Sequence, residues 1–80
     1  MTLKPGNIGW AAEQLKKGNS VRRRGWNGKG MYIYVEQFTC QRGAVQYDPI
    51  VTMHTAQGTE QRGWLCSQAD FFAEDWEHID

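Results

Sequence analysis

Eighty residues allow a single domain, residues 1–80, with one modest core. Nine Lys and Arg balance nine Asp and Glu, and this zero net charge excludes a chain built as a whole to coat a nucleic-acid polymer. Two distant cysteines, Cys40 and Cys66, show no metal-ligand spacing, and no apolar run is long enough for a signal-peptide core or a membrane span.

In chain order, Ile8, Ala11, Ala12 and Leu15 form one helical stripe, which predicts a helix from about Ile8 to Lys17. Asn7 is suited to cap its start and Gly18 its end, with Trp10 off the centre of the stripe. Ser20–Arg24 reads as a short strand, and Gly25–Gly30 as a turn-rich loop carrying Trp26. Met31–Val35, aromatic and β-branched, is the best strand in the chain. Glu36–Pro49 is interrupted by Gly43 and Pro49 and reads as a weak strand or a loop.

Val51–Ala56 alternates apolar and polar residues, which predicts a strand followed by a turn at Gln57-Gly58. A return strand is expected within Thr59–Cys66, reaching through Trp64. Ser67 then caps a helical turn over Ser67–Ala73 in capping-box style, with Asp70 as the acidic member. Trp76 and Ile79 suit a last short strand. The sum is an α+β domain, an N-terminal helix packed on an antiparallel sheet with a short C-terminal helical turn. A core this small favours self-association, and the thiols read as reduced, which fits the cytoplasm.

The residues that could carry catalysis are few. His54 and His78 are the only histidines, and no nucleophile–base–orienter set is visible in the spacing. Cys66 reads as a small buried hydrophobe. Asp70, Glu74 and Asp75 match no calcium loop, so capping and solvated charge explain them better than a metal does, and no cofactor is expected. Six of the nine basic residues fall between Lys16 and Lys29, while Glu74, Asp75, Glu77 and Asp80 make the C-terminal end acidic. Trp26 has no local apolar company, so it must cover a core edge, pack on another subunit or stack on a ligand. Aromatic and basic groups together suit nucleotides, since a base stacks on an indole or phenol ring while Arg and Lys neutralise phosphate. Arg22, Arg23, Trp26, Lys29, Tyr32, Tyr34, Tyr47 and Trp64 supply both kinds.

Four segments in order carry a family resemblance. They are Val21-Arg22-Arg23-x-Gly25-Trp26-Asn27-Gly28-Lys29-Gly30-Met31, Pro49-x-Val51-x-Met53-x-Thr55-Ala56-x-Gly58-Thr59, Trp64-Leu65-x-Ser67-Gln68-x-Asp70, and Ala73-Glu74-Asp75-Trp76. Together the chain resembles the Thoeris anti-defense 2 family of short phage and prophage proteins. The segment between Val35 and Pro49 is shorter than the insertion usual in that family. The resemblance implies a non-enzymatic sponge in the cytoplasm of the infected bacterium. It would hold the cyclic ADP-ribose-type signal of the Thoeris defence, and in some relatives the cyclic dinucleotides of the CBASS defence. It also implies a homo-oligomer, dimer or tetramer, with ligand pockets between subunits. Carried onto this chain, the ligand contacts expected are Trp26, Asn27, Trp64, Gln68 and Asp70, with a pyrophosphate near Arg23 or Lys29. Tyr34, from the aromatic and basic groups named above, is a further candidate contact. Two other readings compete: a structural or protein-binding module, and an enzyme degrading such a signal through His54 or the Asp70–Asp75 cluster.

Overall fold

A computed structural model describes residues 6–36 and 48–79. The first element is helix α1, Ile8–Lys16. The Asn7 side chain accepts from the Trp10 amide at 2.8 Å and satisfies one of the unpaired donors of the first turn. At the other end Gly18 adopts φ +89°, its amide donates to the Leu15 carbonyl, and that of Asn19 donates to Gln14. This is a Schellman closure, and the left-handed residue it needs is the glycine expected there.

Five strands follow, namely β1 (Val21–Arg23), β2 (Tyr32–Glu36), β3 (Ile50–His54), β4 (Glu60–Arg62) and β5 (Trp76–His78), with helix α2 (Gln68–Phe71) between β4 and β5. They form one antiparallel sheet in the order β4-β3-β2-β1-β5. The α+β architecture read from the sequence is therefore the observed one. The expected weak strand or loop between Glu36 and Pro49 lies mostly outside the described residues.

Pairing puts Val21 opposite Ile33 and Ile33 opposite Met53, so these three side chains share one face. Helix α1 lies across that face over β1, β2 and β5. Ala11, Val21, Ile33, Met53 and Trp76 make the buried core, with Ile8, Trp10, Leu15, Trp26, Met31, Val51, Trp64 and Ala73 packed around it. Burying a side chain the size of Ile33 contributes about 2–3 kcal/mol. Ala12, placed on the stripe from spacing, is exposed instead. Trp10 edges the core against His78, with ring centroids 4.9 Å apart.

The opposite face carries Tyr32, Tyr34 and Glu36 beside His54, Thr52 and Ile50. Tyr32 stacks on the His54 ring, the Tyr34 hydroxyl donates to Glu60 at 2.8 Å, and His54 Nδ1 meets the other Glu60 oxygen. Arg62 pairs with Glu36, whose carboxylate also receives the Thr52 hydroxyl. Thr52 is fully buried although it lies on this face.

The return strand is shorter than the sequence suggested. Gly63 turns at φ +79°, and the Gly63 and Trp64 amides both donate to the Val51 carbonyl at 2.9 Å. Strand pairing stops at Arg62, and Trp64 packs against the core cluster instead of extending the sheet. Cys66 is also unlike its expectation, because it is exposed and not buried.

Candidate functional site

The loop between β1 and β2 starts from a three-residue strand with one aliphatic and two cationic side chains. Val21 anchors the strand in the core, and alternation places Arg23 on the same side, next to Trp76 in the register. Arg23 therefore points toward protein. Its Nε donates to Asp75 Oδ1 and its Nη1 to Asp70 Oδ1, both at 2.8 Å. The Asp70 side chain is 13% exposed and that of Arg23 is 20%. At this burial a paired charge is retained, whereas an unpaired one is costly.

The two carboxylates also hold the loop itself. Asp75 Oδ2 accepts the Gly25 amide at 2.8 Å and the Asp75 carbonyl accepts that of Arg24 at 3.1 Å. Asp70 Oδ1 accepts the Trp26 indole N–H at 3.0 Å, and the Asp70 carbonyl accepts that of Trp76 at 3.0 Å. Trp26 stands edge-on to Trp76 and Trp64, with centroids 5.4 and 6.0 Å away. Such edge-to-face pairs suit the ring quadrupole, and each indole N–H of the Trp26–Trp76 pair has a partner on Asp70.

These contacts shift titrations in directions their chemistry dictates. Hydrogen bonds from the Asp75 and then the Asp70 carboxylates raise the Arg23 pKa further. Burial alone would push the Asp70 carboxyl up, but hydrogen bonds from Arg23, Trp26 and Ser67 outweigh it and hold the group below its ordinary value. The Arg23 hydrogen bond does the same for Asp75, opposed by burial and aided by the Gly25 amide.

Beyond this corner the loop opens a cleft of about 300 Å³ lined by Arg22, Arg23, Arg24, Trp26, Asn27, Gly28, Lys29, Gly30, Met31 and Glu77. A Cβ at Gly28 would meet the flexible end of the Met31 side chain, which would have to shift, and would come within 3.0 Å of Ala56 Cβ. Gly30 adopts φ +78°, where other residues are strained. Arg22 and Arg24 share one carboxylate, Glu77, each through Nε at 3.0 Å. Lys29 is exposed and makes no ion pair with any described residue. Of the four cations lining the cleft, Arg23 is neutralised by Asp70 and Asp75 behind it, while Arg22 and Arg24 share Glu77. The positive surplus therefore comes from the sharing of this carboxylate and from Lys29.

Of the residues singled out from the sequence, Arg23, Trp26, Asn27 and Lys29 line this cleft. Asp70 does not line it but holds two residues that do, and Trp64 backs Trp26 from the core side. Gln68 is exposed at the start of α2, and Tyr34 sits with Glu60 on the sheet face away from α1; neither lines the cleft. Arg22, Arg24, Met31 and Glu77 complete the lining, and Asp75 and Trp76 support it. Sequence reasoning put Asp75 in a solvated acidic cluster; only the β1–β5 pairing brings it to Arg23. The capping box is half-formed: Ser67 Oγ accepts the Asp70 amide at 3.1 Å, while the Asp70 carboxylate reaches Arg23 and Trp26.

Fold and cleft define a small α+β domain with a cationic, aromatic-walled recess at one end of its sheet. The family model of the Thoeris anti-defense 2-like domain matches residues 6–79, and the chain belongs to this family. It is similar to Thoeris anti-defense 2 of Bacillus phage SP01, with 34% identity over 84 residues, covering 91% of this chain and 93% of that protein. Family membership supports a phage anti-defense role. Among the described residues no helix is long and apolar enough to cross a membrane.

Proposed function

We propose that this chain is a sponge that binds a cyclic ADP-ribose-type immune signal and holds it uncleaved in the cytoplasm of the infected cell. The observation that carries this reading is the Trp26 cleft, lined by Arg22 and Arg24 on one shared carboxylate and by the exposed Lys29, in a member of an anti-defense family. A base stacks on the part of the indole facing the cleft, and a pyrophosphate lies against Lys29 and the outer arginines. Cyclic dinucleotides, with the same two kinds of group, are the second ligand class to test. A cleft of about 300 Å³ is at the small end for a nucleotide-sized ligand. That fits a pocket completed by another subunit of a homo-oligomer.

Binding without catalysis is favoured by placement: neither His54 nor His78 lines the cleft, and Asp70 and Asp75 are engaged with Arg23. The test is to incubate the protein with cyclic ADP-ribose isomers, remove free ligand, denature, and analyse what is released. Intact ligand supports the sponge, and a cleaved product sinks it. A panel without any thermal shift favours a structural or protein-binding module instead. Lys29→Ala is the variant of choice, expected to weaken binding at least tenfold with the fold unchanged. Trp26→Ala is a poorer probe, since Trp26 also packs on the core.

A further inference from the structure

Glu77 supplies the carboxylate that lines the cleft, and it stands between two of the cations there. Strand register sets Glu77 opposite Arg22, and alternation turns Arg24 to the same side. Its Oε2 accepts from Nε and Nη2 of Arg22, each at 3.0 Å, and its Oε1 from Nε of Arg24 at 3.0 Å. Both oxygens are thus spent on guanidinium groups, in the way one phosphate would bridge them. Hydrogen bonds from Arg24 and then Arg22 hold the carboxyl below its ordinary value, so it is ionised at neutral pH. The Arg24 side chain is 78% exposed and that of Arg22 45%, and ion pairs so open to water contribute little. Among the described residues the Glu77 carboxylate holds no backbone amide, unlike that of Asp75, which holds Gly25.

We infer that Glu77 is the resident counter-ion of the cleft, displaced from Arg22 and Arg24 by a ligand's phosphate, and that it keeps bare phosphates out. This rests on the proposed reading of the cleft as a nucleotide site. A bare phosphate gains little by the exchange, because it replaces one anion on the two arginines while facing the charge of the other. A nucleotide also stacks its base on Trp26, a contact that Glu77 does not oppose. The displaced carboxylate has room to turn. Arg24 and Glu77 also line a second recess of about 410 Å³, walled by Trp10 and His78. The carboxylates of Glu74 and Asp75 stand there as well, and they repel Glu77 back toward the arginines once the ligand leaves.

The test is calorimetric titration of the full chain with inorganic pyrophosphate at low salt. Glu77→Gln is expected to bind it roughly threefold to tenfold more tightly than the native chain, a gain that shrinks as salt is added. Glu60→Gln, which removes the same charge from the sheet face, is expected to match the native chain. Adenosine, which carries no charge, is expected to show no gain in either variant. Equal or weaker pyrophosphate binding by Glu77→Gln makes Glu77 a brace for the arginines and overturns the inference. An equal gain in Glu60→Gln reduces the effect to net charge and overturns it too. A second measurement leaves Glu77 in place. On adding pyrophosphate to the native chain, the Nε–H resonances of Arg22 and Arg24 are expected to move while that of Arg23, held by Asp70 and Asp75, stays. Resonances of Arg22 and Arg24 that stay fixed overturn the displacement. A native chain that binds no cyclic ADP-ribose isomer, beside a Glu77→Gln gain for pyrophosphate, sinks the nucleotide reading and leaves the counter-ion standing.

Discussion

Two regions of this domain are built from the same chemical types and use them differently. At the Trp26 corner, Arg23, Asp70 and Asp75 close a partly buried network that joins β1, α2 and the segment before β5. On the sheet face away from α1, Tyr32, Tyr34, His54, Glu60, Glu36 and Arg62 satisfy one another across neighbouring strands at the surface. The corner ties residues 44 to 52 positions apart and leaves Lys29 with no ion pair beside it. The sheet face ties residues of adjacent strands and has no comparable surplus of cations. Aromatic and charged content alone therefore does not mark a binding site. A surplus of one charge beside an aromatic wall is what sets the corner apart as the candidate site.

The contrast is broken most directly by Asp70→Ala. It removes an ion-pair partner of Arg23 and leaves the Trp26 N–H unsatisfied, at a cost of about 2–3 kcal/mol. In a domain this small that lowers Tm by roughly 10–20 °C. Calorimetry with tryptophan emission, expected to shift to the red, checks it. An exposed removal on the sheet face, Glu60→Ala, is expected to lower Tm far less.

Acid acts on both regions next, because hydrogen bonds from His54 and Tyr34 hold the Glu60 carboxyl on the sheet face below its ordinary value too. The Asp70 and Asp75 carboxyls are held below their ordinary values, so their stabilisation is complete above the unfolded-state pKa, about 4. It is lost as pH falls through the lower folded-state values. Stability followed by tryptophan fluorescence should therefore be flat with respect to these groups from pH 7 to about 5 and decline below about 4. An Asp70→Asn/Asp75→Asn variant should lose the corner's share of that decline and keep the share of Glu60 and Glu77.

Smaller again is Gly28→Ala, expected to cost about 1–2 kcal/mol because the new methyl group meets Met31 and Ala56. Denaturant melts of that variant combined with Met31→Ala should show partial recovery, a coupling that distant sites lack. The smallest effect on stability sharpens the sheet-face side. The hydrogen bond to Glu60 pushes the Tyr34 phenol up to about 12. Glu60→Gln should bring that titration back toward the ordinary tyrosine value of about 10, read by ultraviolet absorbance, with Tm nearly unchanged.

Much of this was legible in local sequence. The helix start at Asn7 and its glycine stop, the Tyr32–Glu36 strand, the Gln57-Gly58 turn and the Ser67 cap all follow from interactions within a few residues. Propensity, capping and period act at that range. The Trp26 loop was legible as well, because an indole among glycines has no local burial. Misreadings came where longer-range contacts decide. Trp64 looked like a strand residue until Gly63 and the Val51 carbonyl turned it onto the core, and Cys66 looked apolar enough to bury yet lies on the exposed approach to α2.

By itself the sequence determined the α+β class, most elements and the family, since each rests on short-range pattern or on motif order. Only the tertiary structure decided what the Trp26 loop is attached to. Placing β5 beside β1 brings Asp75 to Arg23, and the α2 turn brings Asp70 to the same guanidinium and to the Trp26 indole. No local pattern encodes those meetings. They arise because β1, with a partner needed on its open edge and two arginines following Val21, meets its carboxylates only after some 50 residues of chain have folded back.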